Sequence, residues 1–425
     1  MRTVKWNPFL SGVCMLLGGV LLMAGTARAE VSSSNPAAIV VFPKIIVDTT
    51  TSPTFKVDTI IQLTNTAPNP VNVRVFYVNA NGHCSNAPTV ICNPTGDPTE
   101  TASTCGSPFA ACQAGWTETD FAFRLTTKQP LVFLASTGLQ FLPLSESPGP
   151  NAEFNTGSIP GVPENPMIGE LKCIEVGDNE QPVNSNDLKG EATIEHLSSS
   201  PVAVDISGYN AIGIQAIGTN NGDDSLQVGP VNTSNAPLCA GGDNAGSPCA
   251  SDADCPSGSC AEYGGCPNIL IMDHFFDDAI DPAQNDDIHV RSLLTVVPCA
   301  ENFEFQAPVT TTVQFLVFNE FEERLSTSRP VTCFLEIPLS DIGTRLGTID
   351  DNQSIFNVGV QGTLTGQTLI RGVGNGLLGV VEELHGPGTG SGFEYRYSAA
   401  FNVQEKGVRA QGDVISMPAA QPPSQ

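Results

Sequence analysis

Between residues 273 and 289 the chain reads DHFFDDAIDPAQNDDIHV up to Val290, with Asp273, His274, Asp277, Asp278, Asp281, Asp286, Asp287 and His289 inside seventeen residues. Carboxylates with interspersed imidazoles are hard oxygen ligands with a few nitrogens, a set that suits a divalent cation and favours calcium. The candidate metal ligands are Asp273, Asp277, Asp278, Asp281 and His289. The order of an EF-hand, with its central Gly and terminal Glu, is absent, so a solvated acidic loop explains the same residues. Thr219–Leu226 (TNNGDDSL) and Ser251–Cys255 (SDADC) offer smaller groups of oxygens, and a polar turn accounts for both. Calcium is the one cofactor that any of this suggests.

Other chemistry is poorly served. The chain has no G-x-S-x-G, no H-E-x-x-H and no P-loop. Gly386–Phe393 (GPGTGSGF) is glycine-rich but lacks a strand-to-helix setting, so it reads as a hairpin loop. The paired acids Glu382–Glu383 and Glu322–Glu323 are sequence neighbours, and on a strand neighbours point to opposite faces. Neither pair can form an acid–nucleophile dyad alone, and no catalytic residue is assigned.

The cysteines speak to compartment. Arg2 and Lys5 precede an apolar run from Phe9 to Ala24, followed by Ala27-Arg28-Ala29, the plan of a cleaved secretory signal over residues 1–29. The run is shorter than the roughly 20 apolar residues a membrane span needs. Thirteen cysteines less Cys14 of the leader leaves twelve, an even set that an oxidising compartment turns into disulfides: Cys84, Cys92, Cys105, Cys112, Cys173, Cys239, Cys249, Cys255, Cys260, Cys266, Cys299 and Cys333. Cys239 to Cys266 contain no C-x-x-C pair and no histidine, so zinc and thioredoxin-like chemistry fit badly. The expected product is exported: periplasmic, cell-surface or extracellular, with no membrane insertion after signal cleavage.

Charge narrows the partners. The chain carries 44 acidic and 18 basic residues, a net charge of −26. Losing Arg2, Lys5 and Arg28 with the leader makes the mature chain more acidic still. Such a surface repels phosphates, which argues against a nucleic acid partner. A surface protein or a glycan remains as the partner class.

The elements that must position these residues are strands. β-branched and aromatic residues alternate with polar ones in Val57–Leu63 and Val71–Val78, across a turn rich in Pro and Asn. "AIVVFPKIIVD" reads as a strand pair or one bent strand broken at Pro43. Further strands are expected at Thr119–Leu125, Leu131–Ala135, Ile168–Val176, Gly190–His196, Val202–Ser207, Ile269–Phe276, Ile288–Val297, Thr310–Phe318, Pro330–Ile337, Thr368–Val373, Leu377–Glu382, Phe393–Phe401 and Asp413–Met417. No stretch keeps a 3.6-residue period for three turns, so helices should be few and short. The organisation is a first β-sandwich domain over 30–217 with a Cys-rich insertion at 81–115, a disulfide-tied insertion or connector at 218–267, a second sandwich over 268–417 and a disordered tail at 418–425. The second half echoes the first: "VVFPKIIVD…TIIQLTN…PNPVNVRVFYV" aligns with "VVPCAENFEF…TTTVQFLVFN…SRPVTCFLEIP", and "IGELKCIEV" with "NGLLGVVEE".

"TIIQLTNTAPNPVNVRVFYV" resembles the strand–Asn–turn–strand signature of immunoglobulin-like β-sandwich domains of exported bacterial proteins. That resemblance implies an all-β fold of two immunoglobulin-like sandwich units and transfers no catalytic residue. Cys239–Cys260 is similar to a short four-cysteine module of exported proteins from environmental bacteria, which implies a disulfide-tied loop. If that module closes on itself, if Cys84 to Cys112 pair among themselves and if Cys299 meets Cys333, a Cys173–Cys266 bond remains. The reading that results is a non-enzymatic exported protein for binding, adhesion or surface assembly. The alternative is a secreted carbohydrate-active enzyme on a β scaffold, weakened by a mature chain with Trp116 as its one tryptophan.

Overall fold

A computed structural model describes residues 31–50, 55–92, 115–138, 159–178, 185–198, 203–215, 267–283, 287–299, 309–342, 354–373 and 375–409. It also describes short pieces at 105–106, 110–113, 180, 182–183, 238–240, 252–254, 256, 259–261, 301–302 and 415–416. The expected signal sequence and tail, Thr219–Leu226, Cys249, Cys255, Cys266 and Asp286 lie outside the described residues.

The protein is all-β. The first unit contains β1 (Val31–Ser32), β2 (Ile39–Val47), β3 (Phe55–Asn65), β4 (Val71–Asn79), the small strands β5 (Gly82–Cys84), β6 (Ala87–Cys92) and β7 (Cys112–Gln113), then β8 (Thr117–Leu125), β9 (Pro130–Leu134), β10 (Met167–Val176), β11 (Leu188–Ser198), β12 (Ala203–Asn210) and β13 (Ile212–Ile214). After the short β14 (Leu238–Ala240) and β15 (Ser259–Ala261), the second unit runs through β16 (Pro267–Phe275), β17 (Ile288–Pro298), β18 (Glu301–Asn302), β19 (Thr310–Asn319), β20 (Arg324–Thr332), β21 (Leu335–Pro338), β22 (Thr365–Val373), β23 (Leu377–Pro387), β24 (Tyr397–Asn402), β25 (Gln404–Arg409) and β26 (Ile415–Ser416). Single helical turns at Leu339–Ile342 and Val358–Gln361 are the α-helices among the described residues.

Each unit is a pair of sheets. The first sets β1-β13-β2-β10-β4-β8 against β12-β11-β3-β9; the second sets β20-β19-β22-β16-β25 against β21-β17-β23-β24. Val40, Phe42, Leu63, Val73, Tyr77, Phe133 and Ile194 fill the first core. Leu270, Leu294, Phe315, Phe356 and Ile370 fill the second. A third cluster spans the two units. Ile39, Val41, Phe76 and Ile174 on the outer face of the six-stranded sheet pack with Val297, Cys299, Phe334 and Leu378 of the second unit. The middle of the six-stranded sheet is therefore buried on both faces, and β2 and β10 are nearly continuous buried runs.

Pro43 does not end a strand. Phe42 pairs with Leu171 and Ile45 with Gly169, so Pro43 and Lys44 together oppose Glu170 in a β-bulge. A bulge is where a sheet tolerates proline. The Tyr209 hydroxyl, reaching across the core from β12, accepts from the Lys44 N–H and donates to the Lys44 carbonyl.

The tandem echo holds for part of the topology. β2 pairs antiparallel with β10, as β17 does with β23, and β3 and β19 both cross to the facing sheet. Beyond that the units differ, because β4 joins β10 whereas β21 joins β17. The expected strand Pro330–Ile337 is split into β20 and β21 at Cys333, whose φ is +61°.

The insertion after β4 is held as expected, by Cys84–Cys105 and Cys92–Cys112. Two other expected pairings are corrected. Cys173 is a free thiol buried in the first core, so the Cys173–Cys266 bond is not formed. Cys299 is disulfide-bonded, but Cys333 is a thiol and is not its partner. In the cysteine-rich connector, Cys239 and Cys260 stand opposite each other in the β14–β15 ladder.

Candidate functional site

The described residues of the acidic run do not converge on one site. Asp273 lies on β16 and accepts from the Gln367 amide at 2.9 Å. Asp277 is buried, and each of its oxygens takes a backbone N–H at 2.8 Å, from Ser292 and Ser340. Burial outweighs those bonds and pushes its carboxyl up to about 7. Asp278 accepts from Asn357 Nδ2 and Gly390 N, while its carbonyl meets His289 Nδ1. Asp281 turns toward His385. His274 is buried against the Phe276 and Phe356 rings, and burial pulls its imidazole down to about 4. Among the described residues, the sulfurs of Cys84, Cys92 and Cys105, already engaged in disulfides, are the one group of potential metal-ligand atoms that converges. Asp277, Asp278 and Asp281 instead tie the turn after β16 to its neighbours.

Two other constellations stand out, and β23 links them. Its Glu382 and Glu383 point to opposite faces, as period-2 geometry requires. Glu382 faces the first unit, where Lys44 Nζ lies 2.7 Å from its Oε2 and 2.8 Å from Oε2 of Glu336. His196 Nε2 stands 3.4 Å from Glu382 Oε1, and Ser207 Oγ donates to the same oxygen at 3.3 Å. Thr295 Oγ1 donates to Glu336 at 3.1 Å. Burial opposes the charge on Lys44, but the two carboxylates beside it outweigh burial and hold its pKa above the ordinary lysine value. Burial likewise works against ionised Glu382, yet Lys44 and His196 carry it well below the usual carboxylate range. Along the neighbouring edge, Asp205 accepts from the Tyr395 hydroxyl and from Ser398, and the Asn402 side chain accepts from the Asn210 backbone N–H and donates to its carbonyl.

Glu383 faces the interior end of the second sandwich. Its Oε1 is 2.9 Å from His385 Nε2, and His385 Nδ1 is 3.0 Å from Asp281 Oδ2. Tyr397 stacks on the imidazole at 5.1 Å and donates to Asp281 at 3.3 Å. The hydrogen bond to Glu383 is the largest of the effects that raise the His385 pKa. Glu383 also lines an open cleft of about 520 Å³, together with Asp273, His274, Phe318, Glu320, Thr365 and Gln367. The cleft thus unites Asp273 from the acidic run with Glu320 and Glu383, which the run does not contain. Glu322 and Glu323 lie in the β19–β20 turn beside it, not on a strand.

The chain matches no protein-family model, no curated protein and no solved structure.

Proposed function

We propose that the protein is exported and works without catalysis, as a tandem β-sandwich that presents a binding surface for adhesion or surface assembly. The observation that carries this reading is the Lys44–Glu336–Glu382 lock with the apolar seam around it, which joins the sandwiches into one block. A fixed relation between two sandwiches suits presentation of a surface; it gives no hinge for opening around a substrate. Disulfides in the first insertion fit an oxidising compartment, and no helix among the described residues is long and apolar enough to cross a membrane. The strand–Asn–turn–strand resemblance to immunoglobulin-like domains of exported proteins points the same way.

One observation favours a second reading, a secreted carbohydrate-active enzyme. The Asp281–His385–Glu383 relay ends in the cleft, where Glu383 and Asp273 could act as a carboxylate pair. A polysaccharide screen of the mature protein separates the two. The binding reading expects no turnover. Turnover abolished by Glu383→Gln would replace it with the enzyme.

A further inference from the structure

The end of the second sandwich that carries the cleft is both acidic and apolar at its rim. Phe321, at the tip of the β19–β20 turn, is 68% exposed, and Val360 and Leu364 are exposed beside it. The tip is fastened to their loop: Glu320 Oε1 accepts from the N–H and hydroxyl of Thr365, and Asn319 Nδ2 reaches the Gln361 carbonyl. Asp273, Glu320 and Glu383 line the cleft, Glu322 and Glu323 follow Phe321 in the chain, and no Lys or Arg belongs to the lining. The only imidazole in the lining, His274, is held down to about 4 and so adds no positive charge at neutral pH.

Resting on the binding reading, we infer that this end docks a basic polypeptide segment of a partner protein, with a Lys or Arg side chain in the cleft and an adjoining apolar residue against Phe321. Charge selects this occupant. A second copy of a chain with net charge −26 would set like charges against each other. A bare metal ion is poorly served, because these carboxylates do not converge on one point. A cleft of about 520 Å³ has room for a long side chain, whose stem can cover apolar surface while its head meets the carboxylates.

Charge alone would attract any polycation, so the test compares matched surfaces. A fluorescein-labelled peptide of alternating Lys and Leu is titrated by anisotropy at near-physiological salt against the mature protein, the Asp273→Asn/Phe321→Ser variant and a Glu191→Gln/Ile206→Ser control. The control removes one charge and one exposed apolar residue from the first unit. The expected result is a loss of about tenfold in affinity for the first variant, equal to about 1.4 kcal/mol, and no more than about twofold for the control. A Lys–Ser peptide should bind more weakly than the Lys–Leu peptide. Equal loss in both variants, or equal binding of both peptides, would overturn the docking site. Either outcome leaves the binding reading standing, whose own test is the polysaccharide screen.

Discussion

Lys44 shows what one buried charge requires. Its ammonium sits between two carboxylates at hydrogen-bond distance, with almost no exposure on either Lys44 or Glu382. Replacing both sides of such a group with apolar residues can be neutral, but removing one side leaves charge stranded. Lys44→Met should therefore destabilise the protein by about 3–5 kcal/mol in denaturant unfolding. Adding Glu336→Gln and Glu382→Gln should recover part of the loss. Asp277 carries the opposite sign. Its folded pKa, raised to about 7, lies above the unfolded value, so its contribution to stability is full below about pH 4 and disappears as pH rises through 7. Asp277→Asn should cost about 1–3 kcal/mol at pH 5, since an amide turns a donor toward the N–H of Ser292 or Ser340. It should also flatten the decline in stability between pH 5 and 8, equally with and without calcium. An unchanged slope would reject the assignment, and a calcium-dependent cost would place an ion at Asp277. The acidic residues were legible as a cluster but not as a site, because spacing shows only proximity in the chain. What separates Asp273 from Asp277 is the pair of backbone amides that claim Asp277, and those come from residues fifteen and sixty-three positions away.

At the scale of elements, period-2 alternation carried most of the strands to within two or three residues of their observed ends. It identified β3, β4, β10 and β17 because each has at least one buried face. β20 was missed over most of its length: RLSTSRPVT has few apolar residues and is an exposed edge strand. The Asn that closes the aligned strands has a common physical role. Asn65 accepts from Ala67 N and donates to the carbonyls of Asn69 and Thr126, while Asn319 accepts from Phe321 N and Glu323 N. In both units an Asn side chain replaces the ladder as the chain leaves the sheet. The bulge at Pro43–Lys44 was legible only as a break, since its second half, Tyr209, lies 165 residues further on. Tyr209→Phe removes one oxygen that serves a buried N–H and a buried carbonyl. It should cost about 1–3 kcal/mol by denaturant titration without changing the far-UV spectrum. A cost within error of zero would show that the bulge finds other partners. The described part of the first insertion packs around its own disulfides and Ala110: Cys84–Cys105 and Cys92–Cys112 span 21 and 20 residues. Loops of that length are worth about 3 kcal/mol each. Mild reduction should open residues 84–112 to proteolysis before the sandwiches unfold, and simultaneous loss of all regions would contradict this.

The whole molecule behaves as more than two beads on a string, and the reason lies in the faces of its sheets. Alternation can show that a strand has an apolar face, but β2 and β10 are buried on both, and a continuous apolar run does not say what covers the second face. The covering layer is the β21-β17-β23-β24 sheet, with Val297, Phe334 and Leu378 against Ile39, Val41 and Phe76. Separating the units would expose that seam and strand Lys44 away from Glu336 and Glu382, so the units should unfold together. Trp116 lies in the seam cluster itself and so senses both units, whereas β3, with Ile61 and Leu63 in the first core, provides a local reporter through pulsed hydrogen exchange. Phe315 lies in the inner core of the second unit, in a cluster that contains no residue of the first. Phe315→Ala should cost about 3–5 kcal/mol through lost burial and the cavity left behind. If the seam couples the units, the midpoint followed by exchange of the β3 amides falls with that of far-UV circular dichroism, and the two curves stay coincident. A β3 exchange midpoint that stays in place while the second unit melts early would show independent units and remove the observation on which the binding reading rests. The coupling should also be acid-sensitive. The folded pKa of Glu382 is depressed, so the stability it contributes is present above the ordinary carboxylate value and drains away as pH falls through the folded value. Well below pH 4 the two curves should separate in the wild-type protein, and in Lys44→Met they should already differ at neutral pH.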